Sequence, residues 1–206
     1  MNPRFAPGSY SGAACLLWHG DRMVFEIQKP AKWAREAGRP PGLGLGCVGG
    51  TVEAGETPLQ TMQREAVEEI GCPLDLRSAR TTADIVDDAV DLRADVKIDG
   101  LVPAALWTVT HPSYDPGTRV AVFLGACRGE PQPDDLPAIA LGEPRTVFDL
   151  LAREASVARA REAGVEFRQK IELPPEGRLV LANTLKRLAF MGTVYPDLYD
   201  EFLRPG

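Results

Sequence analysis

The chain has two histidines, His19 and His111, far apart in sequence, and four cysteines with no C-x-x-C pair. A metal site built from imidazole or thiolate is therefore not expected. Cys15, Cys47, Cys72 and Cys127 read instead as small buried hydrophobes of a reducing compartment. No apolar run approaches the roughly 20 residues that cross a bilayer. The opening MNPRFAPGSYSG lacks the apolar stretch of a signal peptide, so the expectation is a cytoplasmic protein with no membrane partner. Acids outnumber bases, 29 to 23. A net charge of -6 argues against a polynucleotide partner. It does not argue against a small phosphate ligand, whose charge a bound metal offsets. What is present, 44% hydrophobic and 25% charged residues in 206, suits one globular domain of ample core with an appended segment.

One block carries most of the information, residues 50–72, GTVEAGETPLQTMQREAVEEIGC. Thr57 suits a helix N-cap, Pro58 the first helical position, and Gln60 completes a T-x-x-Q capping box. Gly71 stands where a helix commonly ends, and Pro73 prevents continuation. Leu59, Met62, Ala66 and Ile70 recur at helical spacing as an apolar stripe. Glu65, Glu68 and Glu69 lie off that stripe, and offsets of three and four bring them together. Like charges so close destabilise their own helix. The usual reason to accept that cost is a hard cation, which takes oxygen ligands and bridges carboxylates to phosphates. Just before the helix, Gly49 and Gly50 let the backbone approach an ion or ligand closely.

The block resembles the Nudix box, G-x5-E-x7-R-E-U-x-E-E-x-G-U, where U is apolar. Gly50, Glu56, Arg64, Glu65, Glu68, Glu69 and Gly71 match every fixed position, with Ala66 and Cys72 at the U positions. An acidic run alone would read as a solvated face; the common register of these residues sets the block apart. The resemblance implies hydrolysis of the pyrophosphate bond in a nucleoside diphosphate linked to another moiety, with Mg²⁺ or Mn²⁺ as cofactor. It implies Glu65 and Glu69 as principal metal ligands, Glu68 sharing the ion or binding a second, and a carbonyl near Gly50 completing the shell. Glu56 and Arg64 would pair, fixing loop against helix and orienting the carboxylates. The general base in such proteins is a box glutamate or an acid from another loop, and Asp134, Asp135 and Glu143 are candidates here.

Substrate choice lies outside the box. No proline or tyrosine of the known subclasses follows it closely, since proline resumes after Pro73 only at Pro103 and the next tyrosine is Tyr114. Trp33, Arg35 and Arg39, in the long loop KPAKWAREAGRPP, are candidates to stack a base and contact phosphate. Trp107, on an apolar strand, reads as core. Two other functions stay open. One is a noncatalytic sensor of a nucleotide metabolite, against which the intact carboxylates count. The other is an enzyme like an isoprenoid diphosphate isomerase, which would need a cysteine such as Cys47 for protonation at carbon.

The remaining pattern predicts strands at 13–18 and 23–28 joined by a hairpin turn, a glycine-rich strand in 42–52, and further strands at 74–76, 106–110 and 119–126. Residues 83–91 alternate poorly. Residues 95–103 and 129–143 read as loops, residues 114–117 as a turn, and 147–160 and 176–191 as helical. The order fits an α/β sandwich, a mixed sheet with the box helix on one side and the 147–160 helix on the other. The expected division is a domain over 10–160 and a helical extension over 161–206, packed on the same domain or at a homodimer interface.

Overall fold

Alternation along three strands sets the architecture. In β1 (Tyr10–His19), Ala13, Cys15 and Leu17 enter one core cluster, while Ala14, Leu16 and Trp18 enter another. β9 (Arg119–Cys127) divides likewise, Ala121 and Phe123 from Val122 and Leu124. So does β10 (Ala138–Gly142), Ile139 and Leu141 from Ala138 and Ala140. Successive strand side chains point to opposite faces, so strands apolar on both faces belong in a sheet covered on both.

The computed structural model describes residues 10–86, 89–108 and 119–205. Its mixed sheet runs β11 (Glu166–Gln169), β10, β2 (Arg22–Ile27), β1, β9, β8 (Ala105–Thr108), β6 (Thr82–Val86), β7 (Ala89–Arg93). β3 (Gly42–Gly46), β4 (Val48–Thr51), β5 (Leu74–Arg77) and β12 (Arg178–Leu181) branch from that path. The central pair, β1 and β9, is parallel.

The branches shape the functional region. β1 pairs antiparallel with β2 through residues 17–19 and with β4 through residues 12–15. One strand therefore serves two partners in succession, and β2 and β4 part there. Past Val24, β2 continues against β3 and β10, with Glu26 opposite Gly46 on one side and Ile139 on the other. Val24 belongs to the cluster under helix α1 (Pro58–Ile70), and Glu26, two residues on, shares its face. The helix buries Met62, Ala66 and Ile70 in that cluster, against Val48, Phe123 and Leu141 among others. The opposite face is covered by α2 (Pro144–Ala152), α3 (Val157–Glu162), α4 (Asn183–Val194) and α5 (Pro196–Phe202), through Val147, Leu151, Leu185, Leu188, Met191 and Phe202 among others. The result is the expected α/β sandwich.

Several local expectations change. The predicted loop 129–143 contains β10, whose residues are all buried. The predicted helix 176–191 starts with a strand, β12, parallel to β3, and becomes helical only at α4. The predicted helix 147–160 is two helices, α2 and α3. Between them Glu154 takes a left-handed φ of 47° and Ser156 caps α3. Residues 82–93 form the antiparallel pair β6 and β7, with 87–88 outside the described residues. The predicted turn at 114–117 and the end of the 106–110 strand also lie outside them. Residues 161–206 supply α4, which overlaps the predicted 176–191 helix, a further helix α5, and the strands β11 and β12. Leu173, Leu179, Leu185 and Met191 from this segment are buried in the common core.

The two faces of α1 predict opposite responses to truncation. Met62 is fully buried, whereas Val67 is 50% exposed. Met62→Ala should cost about 2–5 kcal/mol of unfolding free energy, and Val67→Ala less than about 0.5 kcal/mol, as read by urea denaturation. Equal losses would contradict this assignment of the helix faces.

Candidate active site

The ends of α1 form as its sequence dictates. Thr57 and Gln60 make the reciprocal capping box, and Gly71 takes the left-handed conformation that ends the helix. The last carbonyls are then covered from outside. The backbone N–H groups of Gln132, Asp134 and Asp135 donate to the carbonyls of Ile70, Glu69 and Glu68 at 3.0, 2.8 and 3.0 Å. This contact brings the loop before β10 against the acidic stretch of the helix.

Arg64 organises the polar face. Its Nε and Nη2 donate to the two oxygens of Glu56 at 2.8 and 3.1 Å, a fork-to-fork pair. Nη1 donates to Glu65 and to Glu68, each at 2.9 Å, and Nη2 also reaches the carbonyl of Thr51 at 3.1 Å. Glu56 accepts further bonds from Thr61 Oγ1 at 2.9 Å and from the Glu53 N–H at 3.1 Å. One guanidinium thus ties the end of β4, the 52–56 loop and the helix together. The bonds from Arg64 lead the causes that bring the Glu56 carboxyl down to about 2, and those from Glu56 lead the causes that raise the pKa of Arg64.

Glu65 and Glu69 face the opposite condition. Burial is the main cause raising both, against the pull of Arg64 on Glu65. For Glu69 the neighbouring Glu26 raises the carboxyl further, while the Gly49 N–H, donating at 3.0 Å, lowers it. Glu26 is raised as well, by burial first and by Glu65, with Lys32 and Lys29 opposing. Glycines make room for these groups. A Cβ at Gly50 would stand 2.0 Å from Glu65 Oε1, and one at Gly46 would stand 2.3 Å from Glu26 Oε1.

These groups line a cleft of about 1430 Å³. Glu26, Gln28, Lys29 and Lys32 come from β2 and the segment after it, Gly49 to Thr57 from β4 and the box loop, and Pro58, Glu65 and Glu69 from α1. Tyr10, Lys97, Ile98, Asp99, Asp135 and Leu136 complete the wall. Of the residues singled out from sequence, Gly50, Glu56, Glu65, Glu69 and Asp135 meet here. Glu68 does not line the cleft; its half-exposed carboxylate is turned to Arg64. Asp135 pairs with Lys29 at 2.6 Å, which holds its carboxyl below the usual range. Asp134 pairs with Lys170, and Glu143 caps α2.

The structure does not bring Trp33, Arg35 or Arg39 to the cleft. The Trp33 indole donates to the Gln28 carbonyl at 2.6 Å and packs on the core, and Arg35 is exposed. Arg39 bridges Glu36 and Glu154, both of which also pair with the buried Arg178. Cys47, on which an isomerase-like chemistry would rest, is buried and is not among the lining residues. Glu26, Lys29, Lys32 and Lys97 were missed from sequence. The one available signal for Glu26 was a single acid inside the apolar run MVFEI.

The donor set is oxygen throughout, the chemistry of Mg²⁺ and Mn²⁺ rather than of softer ions. Among the described residues no group of three or more His, Cys, Asp or Glu side chains is placed to hold a metal ion as it stands. A Mg²⁺ site does not need one, since one or two carboxylates with waters and substrate phosphates suffice. The residues present therefore fit the ion.

The raised carboxyls set a pH dependence for the protein free of metal. A carboxyl whose folded pKa exceeds its unfolded value, about 4.3 for Glu, contributes stability below that value and loses it as pH rises through the folded value. In the presence of a chelator, wild-type stability should fall from about pH 5 to about pH 9. Glu69→Gln, which removes one of the repelling charges, should flatten the fall. Thermal midpoints across this range test it, and parallel profiles for the two proteins would contradict it.

Comparison with known proteins agrees with this geometry. The family model for the NUDIX domain matches residues 12–141, which run from β1 into β10 and include the whole box. Among solved structures, the chain is similar to an ADP-ribose pyrophosphatase from Streptococcus suis, at 14% identity over 92% of each chain and a TM-score of 0.39. It is similar to a NUDIX hydrolase from Nitrosomonas europaea, at 14% identity over 87% of this chain and 80% of that one, with a TM-score of 0.40. A NUDIX-family hydrolase from Clostridium perfringens matches at 15% identity over 63% of this chain and 74% of that one, with a TM-score of 0.37. The comparison with curated proteins found no match. The family match spans more than half of the chain and contains the carboxylates, the arginine and the glycines of the cleft, and the chain belongs to the Nudix hydrolase family.

Proposed function

We propose that the chain is a divalent-metal-dependent hydrolase that cleaves the pyrophosphate bond of a nucleoside diphosphate linked to another moiety, with Mg²⁺ or Mn²⁺ as cofactor. The observation that carries this reading is the meeting of Glu65 and Glu69 with the Gly49–Gly50 backbone in a cleft that lysines also line. Glu65, Glu69 and the backbone at Gly50 would hold the ion. Bound there, it would offset phosphate charge and lower the pKa of an attacking water.

The protein's own groups supply the rest. Arg64 holds Glu65 from one side and the box loop from the other. The Gly49 N–H fixes one oxygen of Glu69. Lys32 and Lys97, exposed on the cleft wall, are placed to meet phosphate oxygens. Asp135 is the loop acid that lines the cleft, kept ionised by Lys29, and it can accept a hydrogen bond from the attacking water. The cleft volume of about 1430 Å³ exceeds the roughly 300–1,000 Å³ of ordinary ligand pockets. That leaves room for a nucleoside diphosphate and its second moiety.

The test is hydrolysis by the purified protein of nucleotide sugars, ADP-ribose, NADH, dinucleoside polyphosphates and coenzyme A, with and without Mg²⁺ or Mn²⁺. Turnover of at least one class should appear with metal and vanish with chelator. Silence across the panel alongside tight nucleotide binding would favour the noncatalytic sensor. Glu65→Gln and Glu69→Gln should each lower kcat by more than about a hundredfold, beyond the 10–100-fold typical of groups one shell from a metal. Thermal midpoints should be unchanged or higher, because a repelling charge is removed. Arg64→Met should fall within that 10–100-fold range. Wild-type rates in both glutamine variants would sink the proposal.

A further inference from the structure

We propose that Glu26, on β2 and outside the box, is a third carboxylate of the metal site, binding the ion from the wall opposite α1; this rests on the hydrolase reading above.

Three observations support it. The first is position. Glu26 lies between the buried residues Phe25 and Ile27, where β2, paired with β10 from Met23 to Ile27, has left β1 and takes up β3. Its neighbours across the ladder, Gly46 and Ile139, carry no charge. The second is accommodation. Its carboxylate lies over Gly46, where a Cβ would stand 2.3 Å from Oε1 and 3.0 Å from Cδ, so the opposite strand leaves space for this side chain. The third is partnership. Of the other carboxylates that line the cleft, Glu56 and Glu65 have Arg64, Glu69 has the Gly49 N–H, and Asp135 has Lys29, while Glu53 and Asp99 are exposed to solvent. Among the described residues the Glu26 carboxylate has neither hydrogen bond nor ion pair.

A half-buried carboxylate without a protein donor among like charges is costly, and a ligand that compensates it is one reason to retain it. Glu26 lines the same cleft as Glu65 and Glu69 and its charge acts on theirs; the three do not surround one point as they stand, and a cation bound by Glu65 and Glu69 is the compensating ligand that would draw Glu26 in. Lys29 is engaged by Asp135, and no lysine makes a hydrogen bond or ion pair with Glu26. With a divalent ion between Glu26 and Glu69, their repulsion becomes shared attraction. Oxygen ligands from both walls would also place the ion in the cleft rather than on the surface of α1, where Glu68 faces Arg64.

The test is Mn²⁺ affinity, followed through the electron paramagnetic resonance signal of the free ion, with no substrate present. Glu26→Gln keeps the shape and removes the charge; its affinity should fall about tenfold or more relative to wild type. Glu26→Asp keeps the charge but withdraws it by one methylene, so its affinity should fall less. The rise in thermal midpoint on adding Mn²⁺ should shrink in the same order. Wild-type Mn²⁺ affinity in whichever variant folds overturns the inference while leaving the hydrolase reading intact. Failure of the wild-type protein itself to bind Mn²⁺ overturns both.

Discussion

Repulsion among carboxylates at the head of one cleft is the condition that the rest of the site answers. Glu65 and Glu69 come from successive turns of α1, and Glu26 comes from the facing strand. None can move away without breaking the packing beneath it, because Met62, Ala66 and Ile70 anchor the helix and Phe25 and Ile27 anchor the strand. Arg64 is the built-in counterweight. Its guanidinium has five N–H donors in a rigid plane, and here it serves Glu56, Glu65, Glu68 and the Thr51 carbonyl together. A lysine has one nitrogen and no fork and could not hold the loop and the helix in one geometry. Yet Arg64 lies to one side. It compensates Glu56 and restrains Glu65, but it makes no bond to Glu69 or Glu26. On the cleft side Glu69 and Glu26 feel only the more distant pull of Lys29 and Lys32, and that is where the substrate and its ion would enter.

The sheet explains why the negative charges can meet at all. If β2 and β4 were neighbours along their whole length, Glu26 and the Gly49–Gly50 backbone would be separated by a continuous ladder. Instead β1 gives its two halves to different partners. The chain passes from β3 to β4 through Cys47 alone, so Gly46 faces Glu26 and Gly50 lies beside Glu65. β10 completes the arrangement from the far side. The loop before it donates three N–H groups to the last carbonyls of α1, which satisfies a helix end and carries Asp135 to the cleft in the same contact.

How much of this was legible depended on whether the signal was local. The capping box, the terminal Gly71 and the apolar stripe of α1 are interactions within about a dozen residues, and each formed as read. So did the hairpin of β1 and β2, whose short connection holds Gly20 at a φ of 61°. The Glu56–Arg64 pair was expected only through the resemblance to the Nudix box, and it forms. Features that arise only from long-range pairing were not legible. β10 was obscured by the prolines and acids before it, although its own residues, AIALG, are apolar throughout. β12 was absorbed into the helical pattern that follows it, because four residues are too few for a period of 2 to be told from 3.6. Trp33 and Arg39 look like ligand contacts in a charged loop. Their partners, the Gln28 carbonyl and Glu154, could not be assigned from the loop alone. Glu26 lacked any neighbour in sequence to explain it, since what it faces comes from β3 and α1.

That distinction bears on what kind of cost the site carries. A steric conflict in a packed interior can be relieved only by repacking. Here the sterics are already relieved, by Gly46 beneath Glu26 and by Gly50 beside Glu65. What remains is electrostatic, and it depends on occupancy: a proton or a cation removes it with little change of shape. The apolar face of α1 and its two caps supply stability independent of that charge, so the helix can hold the carboxylates together before any ion arrives. A site built this way is preorganised for a cation and penalised without one. The glycines around it are part of the same device, because the carboxylates could not lie against the backbone if those positions carried side chains.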